Sequence, residues 1–338
     1  MSNQLPEEEI NYRQRKQQYL TNIFQSFNFP IDFKWVGNST RRRVTFQVLN
    51  NNLGFFHEKT HNLISLESYD LAVLPINSLI PELKKLLKQI CEKSIKQIIV
   101  TNFDNGLDVI FKVDKKISSA QEIKLIQFAK SHNLVLSLQI NSIIFPLFLP
   151  RQNQLHCGSN KIAVSSDIFI QATKIGLDYI VDFLRITLDK NQAKKIADLY
   201  CGCGVYSFSL TNATRRFDCF EGSESMIEII KNNQKNLENQ SNIKAILRDL
   251  FVDPLNVKEL NSYDNIIINP PRNGAEPQIL NLAKSQVKNI QYVSCNPQTL
   301  VRDAKILVDE NYNITNIIAI DQFYSTKHHE VIISFTKK

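Results

Sequence analysis

The sequence lacks the cysteine spacing that a structural metal site needs. Only Cys201 and Cys203 lie close together, and no second pair is present that could complete a tetrahedral site. Free thiols in a reducing compartment explain this pattern better than a metal centre, so we expect no bound metal. The chain has 6 cysteines in all: Cys91, Cys157, Cys201, Cys203, Cys219 and Cys295.

The sequence also lacks a long apolar segment. Its longest apolar run, Ile143 to Leu149, is interrupted by Pro146 and is far shorter than the roughly 20 residues of a membrane-spanning helix. The first residues, Met1 to Pro6, lead into an acidic stretch and lack the basic region and apolar stretch of a secretory signal. These absences predict a cytoplasmic protein that has no membrane partner.

Length and charge set broad limits on what the chain can be. Its 338 residues, 43% of them hydrophobic, can fill more than one core, which favours about two domains. Lys and Arg number 40 against 33 Asp and Glu, which gives a net charge of +7. This excess favours a polyanionic partner, although many enzymes that act on neutral metabolites are equally basic.

Three regions of the chain show different patterns. Residues Tyr12 to Leu20 read as an amphipathic helix, so we predict a helical arm over residues 1–30. From Ser94 to Leu155, strands and turn signals surround a helix predicted from Ser119 to Ser131, which indicates a small α+β domain over residues 31–160. Within that domain, Arg41-Arg42-Arg43 could contact phosphates or could form a solvated strand end.

From Ile162 onward, helical patterns alternate with short apolar strands, which is typical of a parallel sheet with crossover helices. We therefore predict an α/β domain over residues 161–338. Because ligands of such sheets bind beyond the carboxyl ends of the strands, the residues at those ends are candidate site residues. The predicted strands are Lys195–Leu199, Phe217–Phe220, Ala245–Leu247, Asn265–Ile268 and Ile290–Val293.

The first of these strand ends has the features of an adenosine site. Gly202 and Gly204 lack a β-carbon and would let the backbone approach a ligand closely. Glu221 closes the next strand, where its carboxylate could accept hydrogen bonds from two ribose hydroxyls. A nicotinamide cofactor would use a similar acidic residue, but its fingerprint favours a third small residue that only Ser207 could supply.

Two later strand ends are more specific. Asp249 could accept a hydrogen bond from an adenine amine, and Asn269 is followed by Pro270-Pro271, which have no N–H donors. A stiff backbone with a polar side chain beside the cofactor suits methyl transfer. Taken alone, the two prolines are more simply explained as the end of a strand and the start of a loop, but together with Cys295 they favour the methyl-transfer site.

Cys295 ends the fifth predicted strand, and a helix predicted from Gln298 to Val308 follows it. The positive end of that helix would favour the thiolate, which is the nucleophilic form of cysteine. A lone cysteine at a strand end is also often a small buried hydrophobe. Glu330 lies farther along the chain and supplies a carboxylate that could act as a base.

The order of these motifs resembles the S-adenosylmethionine-dependent RNA 5-methyluridine methyltransferases over residues Phe169 to Phe335. The resemblance implies a class I, Rossmann-like methyltransferase domain with a mostly parallel seven-stranded sheet, preceded by a smaller α+β domain that faces RNA. The matching segments are "IFIQATK", "DLYCGCG", "FEGSE", "NPPRNGAEP", "YVSCNPQTLVRD" and "DQFYSTKHHEV".

The resemblance also implies roles for single residues. Cys295 matches the family's nucleophile and Glu330 its base, so the thiolate would add to carbon 6 of uracil and the carboxylate would later remove the carbon 5 proton. Such chemistry requires a uridine that is single-stranded or flipped out. The residues that match positions holding S-adenosylmethionine are Gln171, Tyr200, Glu221 and Asn269, although Gln171 could contact uracil instead.

Three departures from the family pattern carry expectations of their own. No cysteine precedes Cys91, and Tyr69 stands where the last ligand of the family's frequent iron–sulfur cluster would lie, so we expect no cluster. Asn269 replaces the more common Asp, as in a branch that acts on large-subunit ribosomal RNA. Tyr324 and Ser325 replace a turn that usually contains proline.

The residues near Glu330 leave several roles open. His328 could support the base or contact RNA, and His329 is expected at the surface. Phe323 and Tyr324 could stack on a base or could pack in the core. Arg302-Asp303 could hold a helix or contact substrate.

We therefore predict a monomeric methyltransferase that acts on a uridine of 23S ribosomal RNA, with transfer RNA as the alternative substrate and no DNA partner. A non-catalytic RNA-binding or assembly factor with the same fold is the alternative from another class. A cytosine carbon-5 methyltransferase would use the same thiol chemistry, but the sequence does not identify the carboxylate that it needs at nitrogen 3.

Overall fold

The computed structural model describes residues 6–57, 60–91, 93–324, 326 and 328–338. The chain divides into two compact units, of which the larger combines the N-terminal segment up to Val36 with Ile175–Lys338. The smaller unit spans Gly37–Lys174. These boundaries differ from the predicted ones at residues 30 and 160. Residues 1–5 of the predicted helical arm lie outside the described residues.

The N-terminal segment forms helix α1 (Glu7–Phe24), a 3₁₀ turn (Gln25–Phe27) and strand β1 (Asp32–Trp35). The helix was predicted only for residues 12–20, and it begins earlier, with three acidic residues in its first turn that interact favourably with the helix dipole. Leu20 and Phe24 are buried in the core of the larger unit. The segment is therefore part of that unit rather than a separate arm.

The smaller unit contains a seven-stranded sheet in the described residues, with strand order β4-β3-β2-β5-β6-β7-β8. Its predicted helix from Ser119 to Ser131 is confirmed, and a capping box at Ser118 and Gln121 sets the start. The elements are β2 (Arg43–Leu49), β3 (Asn52–Phe56), β4 (Leu63–Ser65), α2 (Leu74–Ile90), β5 (Ile95–Phe103), β6 (Gly106–Val113), α3 (Ser119–Ser131), β7 (Val135–Ile140), β8 (Ile143–Phe148), β9 (Asn153–Cys157) and β10 (Asn160–Val164).

A β-hairpin explains where the smaller unit ends. Strand β10 pairs antiparallel with β9 over Asn160–Val164, so the chain near residue 160 lies inside one hairpin. A domain boundary at that position would separate two paired strands. The unit instead continues to Lys174.

The arginine triplet lies in the smaller unit, and two of its side chains bond within that unit. Arg42 is 3% exposed, and its Nε donates to the carbonyl of Gln171 at 3.0 Å. Arg43 donates to the carbonyl of Ile168, and burial lowers its pKa. Because Arg42 is buried, the structure contradicts a solvated strand end at that residue, whereas Arg43 is partly exposed. Contact of the triplet with phosphates stays a prediction.

The remainder of the larger unit alternates helices and strands as predicted. All five predicted strands are confirmed, and three of them extend one or two residues beyond the predicted ends. The elements are α4 (Lys174–Lys190), β11 (Lys195–Leu199), α5 (Val205–Leu210), β12 (Arg216–Glu221), α6 (Glu224–Gln234), a 3₁₀ turn (Gln240–Asn242), β13 (Ile243–Leu247), α7 (Val257–Leu260), β14 (Asn265–Ile268), α8 (Glu276–Lys284), β15 (Asn289–Ser294), α9 (Pro297–Asp309), β16 (Tyr312–Asp321) and β17 (Glu330–Lys337).

In the described residues the sheet of this unit has eight strands, in the order β1-β16-β17-β15-β14-β11-β12-β13. Strands β11 to β15 are parallel to one another, and β17 is antiparallel to both β15 and β16. The predicted count of seven was therefore wrong. The additional strand, β1, pairs in parallel with Ile318–Asp321 at the edge of the sheet, and its four residues are too short to give a clear apolar pattern.

Over residues 6–57, 60–91, 93–324, 326 and 328–338, none of the helices combines the length and the apolar character that crossing a bilayer requires.

Candidate functional site

The order of the parallel strands reverses between β11 and β14, because the chain runs outward through β12 and β13 on one side and through β15 on the other. Ligands of open α/β sheets bind beyond the carboxyl ends of the strands at such a point. Tyr200, Glu221, Asp249 and Asn269 all lie at the carboxyl ends of β11 to β14 or shortly after them. The topology thus brings four predicted cofactor residues to one edge of the sheet.

The loop after β11 has the backbone shape of a ligand cradle. Tyr200, Gly202 and Gly204 adopt positive φ angles of 58°, 56° and 78°. A β-carbon on Gly202 would have no heavy atom within 4 Å, so the space beside this backbone is open. Glycine permits this conformation without strain and leaves the peptide accessible to a ligand.

Glu221 is fixed beside that loop by two backbone donors. The amide of Gly202 donates to its Oε2 at 2.9 Å, and the amide of Ser223 donates to its Oε1 at 3.0 Å. A carboxylate oxygen can accept more than one hydrogen bond, and the side chain is only half-buried. The arrangement can therefore accept hydrogen bonds from ligand hydroxyls, as the sequence predicted for a ribose.

Tyr200 and Asp249 flank the same edge. The Tyr200 hydroxyl is buried and has no hydrogen-bond partner among the described residues, and its ring packs on Phe251 with centroids 5.3 Å apart. Burial and the charge of Asp249 raise the pKa of this hydroxyl. The exposed Asp249 accepts the amide of Phe251 at 2.9 Å through Oδ1. A buried hydroxyl without a protein partner fits a site that binds a polar ligand.

Asn269 ties the end of β14 to the end of β11. Its backbone amide donates to the carbonyl of Leu199 at 3.2 Å, and its Nδ2 donates to the hydroxyl of Tyr206 at 3.2 Å. The side chain is half-buried at the same edge of the sheet. Pro270 and Pro271 follow it and belong to neither a helix nor a strand, so they end the strand as well as border the site.

The buried carboxyl of Asp198 bonds to the helix that follows the glycine loop. Asp198 is fully buried in β11, and the hydroxyl of Ser207 donates to its Oδ2 at 2.7 Å. Burial raises the pKa of Asp198 to about 7, and the charge of Glu221 adds to this effect. Ser207, considered above as a third small residue of a nicotinamide site, therefore links the start of α5 to β11.

Gln171 belongs to the smaller unit. Its side chain is buried, and its carbonyl accepts the hydrogen bond from Arg42. Arg41 forms an isolated antiparallel β-bridge with Thr173. The segment that contains Gln171 and Thr173 therefore pairs with the start of the arginine triplet. The assignment of Gln171 to the cofactor or to uracil stays a prediction.

Cys295 and Glu330 come together through strand pairing. Strands β15 and β17 are antiparallel, and Ser294 is the partner of Val331. Cys295 follows this pair on one strand and Glu330 precedes it on the other, so the two lie side by side at one end of the ladder. Glu330 is only 2% exposed, whereas Cys295 is partly exposed.

The environment of the carboxyl suits a base that works near neutral pH. Burial raises the pKa of Glu330 to about 7. Gln322, which follows β16, donates from Nε2 to Glu330 Oε2 at 2.8 Å and opposes this rise. A carboxyl of this kind can take up and release a proton under ordinary cellular conditions.

The environment of the thiol differs from the one predicted. We expected the start of α9 to favour the thiolate, but burial raises the pKa of Cys295 and the negative charge of Glu330 raises it further. Arg272 opposes both effects through its charge and through a hydrogen bond to the thiol. The prediction considered the start of α9 but left out the burial of the thiol and the neighbouring carboxylate, which together outweigh the effects that lower this pKa.

Arg272 and Gln322 were not predicted as site residues from the sequence. Both lie inside motifs quoted above, and a charged residue directly after two prolines at a strand end was the available signal. The start of α9 holds the arginine in place. Asn296 Nδ2 donates to the carbonyl of Arg272 at 2.7 Å, and Thr299 Oγ1 donates to the same carbonyl at 3.2 Å.

Asp303 anchors the loop between β14 and α8. It is fully buried and accepts hydrogen bonds from the Tyr292 hydroxyl at 2.6 Å, the Ala275 amide at 2.8 Å and Arg302 Nε at 2.8 Å. Of the two roles left open for the Arg302-Asp303 pair, these contacts favour holding the helix.

The two histidines before Glu330 lie outside strands, because β17 begins at Glu330 itself. His329 is 1% exposed and stacks on Tyr19 with ring centroids 5.8 Å apart, so the prediction that it lies at the surface was wrong. His328 packs edge-on against Phe323 at 6.0 Å. Ser325 lies outside the described residues.

Tyr324 packs within the larger unit. Its hydroxyl donates to Glu9 at 2.7 Å, and its ring lies 4.7 Å from that of Tyr12. These contacts favour packing over base stacking for this residue. Across the described ranges, no group of three or more His, Cys, Asp or Glu side chains could hold a metal ion.

The chain is similar to known RNA methyltransferases. The family model described as tRNA (uracil-5-)-methyltransferase matches residues 9–338. An uncharacterised RNA methyltransferase of Mesorhizobium japonicum is 30% identical over 333 residues, which cover 96% of this chain and 79% of the relative. The 23S rRNA (uracil(1939)-C(5))-methyltransferase RlmD of Haemophilus influenzae is 30% identical over 310 residues, which cover 88% of this chain and 70% of the relative.

Among solved structures, the tRNA (uracil-54, C5)-methyltransferase of Pyrococcus abyssi, in complex with S-adenosyl-L-homocysteine, superposes with a TM-score of 0.76. The match covers 96% of this chain and 83% of the other at 18% identity, and it shows that the two share a fold. The family model spans nearly the whole chain, and the strand ends bring the family's motifs together. The chain therefore belongs to the tRNA (uracil-5-)-methyltransferase family.

Proposed function

We propose that this protein methylates carbon 5 of a uridine in 23S ribosomal RNA, with S-adenosylmethionine as the methyl donor. The observation that carries the proposal is the placement of Cys295 beside Glu330 at the ends of β15 and β17. These strands belong to the same sheet as β11, and the glycine loop follows β11. A nucleophile, a base and a cofactor cradle are the three parts that the reaction needs.

The residues at the ends of β11 to β14 fit the methyl donor. Glu221 would bind the ribose hydroxyls, and the open backbone at Gly202 would allow the ligand to approach closely. Tyr200 offers a buried hydroxyl, and Asp249 would accept from the adenine amine. Asn269 would border the reacting end of the ligand. S-adenosylmethionine supplies the methyl group that carbon 5 of uracil receives.

Cys295 begins the reaction in this proposal. Carbon 5 of uracil is a poor nucleophile, and addition of the thiolate at carbon 6 turns the ring into an enolate that is reactive at carbon 5. Because burial and Glu330 raise the pKa of Cys295, the charge and hydrogen bond of Arg272 have to stabilise the thiolate. Arg272 is therefore assigned a catalytic role alongside the cysteine.

Glu330 completes the reaction. Its carboxylate removes the proton from carbon 5, the electrons of that bond restore the ring double bond, and the carbon–sulfur bond to Cys295 breaks. Gln322 holds Glu330 Oε2 at 2.8 Å and so orients the carboxylate. Because Cys295 is partly buried, the target uridine has to leave the base stack to reach it.

The choice of 23S ribosomal RNA rests on the relatives and on one residue. The RlmD relative from Haemophilus influenzae is named for uracil 1939 of 23S rRNA. The resemblance described in the sequence analysis also implies that Asn269 is typical of the branch that acts on large-subunit RNA. Transfer RNA is the second candidate, because the family description and the Pyrococcus abyssi structure both name it.

Incubation of the purified protein with labelled S-adenosylmethionine and separate 23S ribosomal and transfer RNA transcripts tests the proposal. Nucleoside mass spectrometry should detect 5-methyluridine in the ribosomal transcript and not with Cys295→Ser. If only the transfer RNA transcript were labelled, transfer RNA would replace 23S ribosomal RNA as the proposed substrate. An absence of 5-methyluridine in both, together with full cellular complementation by Cys295→Ala, would favour a non-catalytic RNA-binding factor.

A further inference from the structure

One buried lysine holds the segment that carries Glu330. Lys16 of helix α1 is 5% exposed, and its ammonium group forms an ion pair with Asp321 Oδ1 at 2.7 Å. It also donates to the carbonyl of His328 at 2.9 Å and to that of Phe323 at 3.4 Å. An ammonium group has three protons, and three acceptors surround this one. The charge is therefore compensated inside the larger unit.

Tyr12, one turn earlier in α1, supports the same carboxylate. Its hydroxyl donates to Asp321 Oδ2 at 2.7 Å, so both carboxylate oxygens of Asp321 accept from this helix. Glu9, a further turn back, accepts from Tyr324 at 2.7 Å. Residues three and four positions apart lie on one face of a helix. One face of α1 thus bonds to Asp321, Phe323, Tyr324 and His328, which lie between the end of β16 and the start of β17.

Two of the residues that Lys16 contacts lie close in sequence to Glu330 or to its hydrogen-bond partner. Asp321 is followed directly by Gln322, whose side chain donates to Glu330 at 2.8 Å. His328, whose carbonyl accepts from Lys16, stands two residues before Glu330. Loss of the ammonium group would release Asp321, which precedes Gln322, and the carbonyl of His328.

We propose that Lys16 is a positioning residue for Glu330 and that it acts on the elimination step. This inference rests on the function proposed above. In that step the carboxylate takes the carbon 5 proton, the C–H electron pair restores the carbon 5–carbon 6 double bond, and the carbon 6–sulfur bond breaks to return the Cys295 thiolate. Thiol addition and methyl transfer do not need the carboxylate in this position. Loss of Lys16 therefore slows release of the product more than formation of the covalent adduct.

The test measures two quantities for the full-length protein with S-adenosylmethionine and a 23S ribosomal RNA fragment. These are the turnover rate and the fraction of enzyme joined covalently to RNA on a denaturing gel. Lys16→Met should lower turnover by at least roughly tenfold, because a base that is out of place loses much of its effect. The covalent fraction should rise, as expected for Glu330→Gln.

Two further variants keep the result interpretable. Arg15→Met removes a neighbouring cation from the exposed face of α1 and should leave the ratio of adduct to turnover unchanged. Tyr12→Phe keeps the ring and removes the hydroxyl that donates to Asp321, and it should shift the ratio in the same direction as Lys16→Met but less. If Lys16→Met does not fold, Tyr12→Phe tests the positioning role in its place.

Parallel losses of turnover and adduct in Lys16→Met, or an unchanged ratio in both Lys16→Met and Tyr12→Phe, would overturn the positioning role. If Lys16→Met does not fold, an unchanged ratio in Tyr12→Phe has the same meaning. Glu330→Gln distinguishes a failure of the positioning role of Lys16 from a failure of the proposed function. Accumulation of adduct in Glu330→Gln without a matching change in the α1 variants would reject this inference alone. No adduct in Glu330→Gln would count against the proposed function itself.

Discussion

Cys295 and Glu330 lie at adjoining ends of the antiparallel strands β15 and β17, and the negative charge of Glu330 raises the pKa of the Cys295 thiol. The nucleophile and the base are therefore coupled electrostatically before any substrate binds. Arg272 opposes the coupling through its own charge and hydrogen bond. The reactivity of the thiol should respond to changes at either neighbour.

Glu330→Gln should make Cys295 more reactive toward iodoacetamide near neutral pH, because the variant removes a charge that disfavours the thiolate. Arg272→Met should make the thiol less reactive. Peptide mass spectrometry over a time course would give the alkylation rate at this residue. The exposed Cys91 serves as the internal control and should react equally in all three proteins. Slower alkylation in Glu330→Gln would contradict the coupling.

The rate of adduct decay should rise with pH and level off above the pKa of Glu330, which is about 7. Only the ionised carboxylate can accept the carbon 5 proton, so the rate follows its deprotonated fraction. Gln322→Leu removes a hydrogen bond that lowers this pKa and should move the inflection to higher pH. The decay of the covalent adduct in single-turnover experiments, followed from about pH 6 to pH 8, compares the unmodified protein with Gln322→Leu. A flat profile in the unmodified protein would exclude Glu330 as the base.

Asp198 should make the fold less stable as pH rises. Its pKa is about 7 in the folded protein and ordinarily 3.8, so its protonated form stabilises the fold below pH 3.8 and this contribution is lost as pH rises through about 7. Asp198→Asn cannot ionise and should flatten the pH dependence of the free energy of unfolding by on the order of a few kcal/mol. Urea unfolding at several pH values would measure this.

Asp309→Asn, which removes an exposed carboxylate, is the matched control for Asp198→Asn. Its pH dependence should follow that of the unmodified protein. Equal pH dependence of unfolding in Asp198→Asn and in the unmodified protein would show that the buried carboxyl does not control stability in this range.

Leu20→Ala should reduce the free energy of unfolding of the larger unit by about 3 kcal/mol, because it leaves a cavity at a fully buried position of the core. Gln17→Ala changes an exposed residue of the same helix and should have little effect. Denaturant titration with a probe in the larger unit distinguishes the two. A loss below about 1 kcal/mol for Leu20→Ala would indicate an independent arm instead of a core helix.

Much of the fold could be predicted because its signals are local. Strands Lys195–Leu199 and Asn265–Ile268 are short apolar runs between helical patterns, and the structure confirms both with the predicted ends. The strand ends also revealed the glycine loop and Glu221. Strand β1 was missed because four residues at a sheet edge carry little apolar pattern of their own.

The unpredicted features of the site depend on contacts between residues that are distant in sequence. Lys16 and Asp321 are 305 positions apart, and no periodicity in either segment indicates that they pair. His329 was expected at the surface, but it is buried against Tyr19 of the N-terminal helix. The pKa of Cys295 likewise depends on Glu330 and Arg272, which only the folded sheet places beside it.

The most direct test of the proposed chemistry is peptide mapping of Glu330→Gln after incubation with S-adenosylmethionine and a 23S ribosomal RNA fragment. Because this variant should stall before elimination, we predict that mass spectrometry will find the Cys295 peptide bonded to a uridine that already carries the methyl group. An unmodified Cys295 peptide, together with 5-methyluridine formation that persists in Cys295→Ser, would contradict the account.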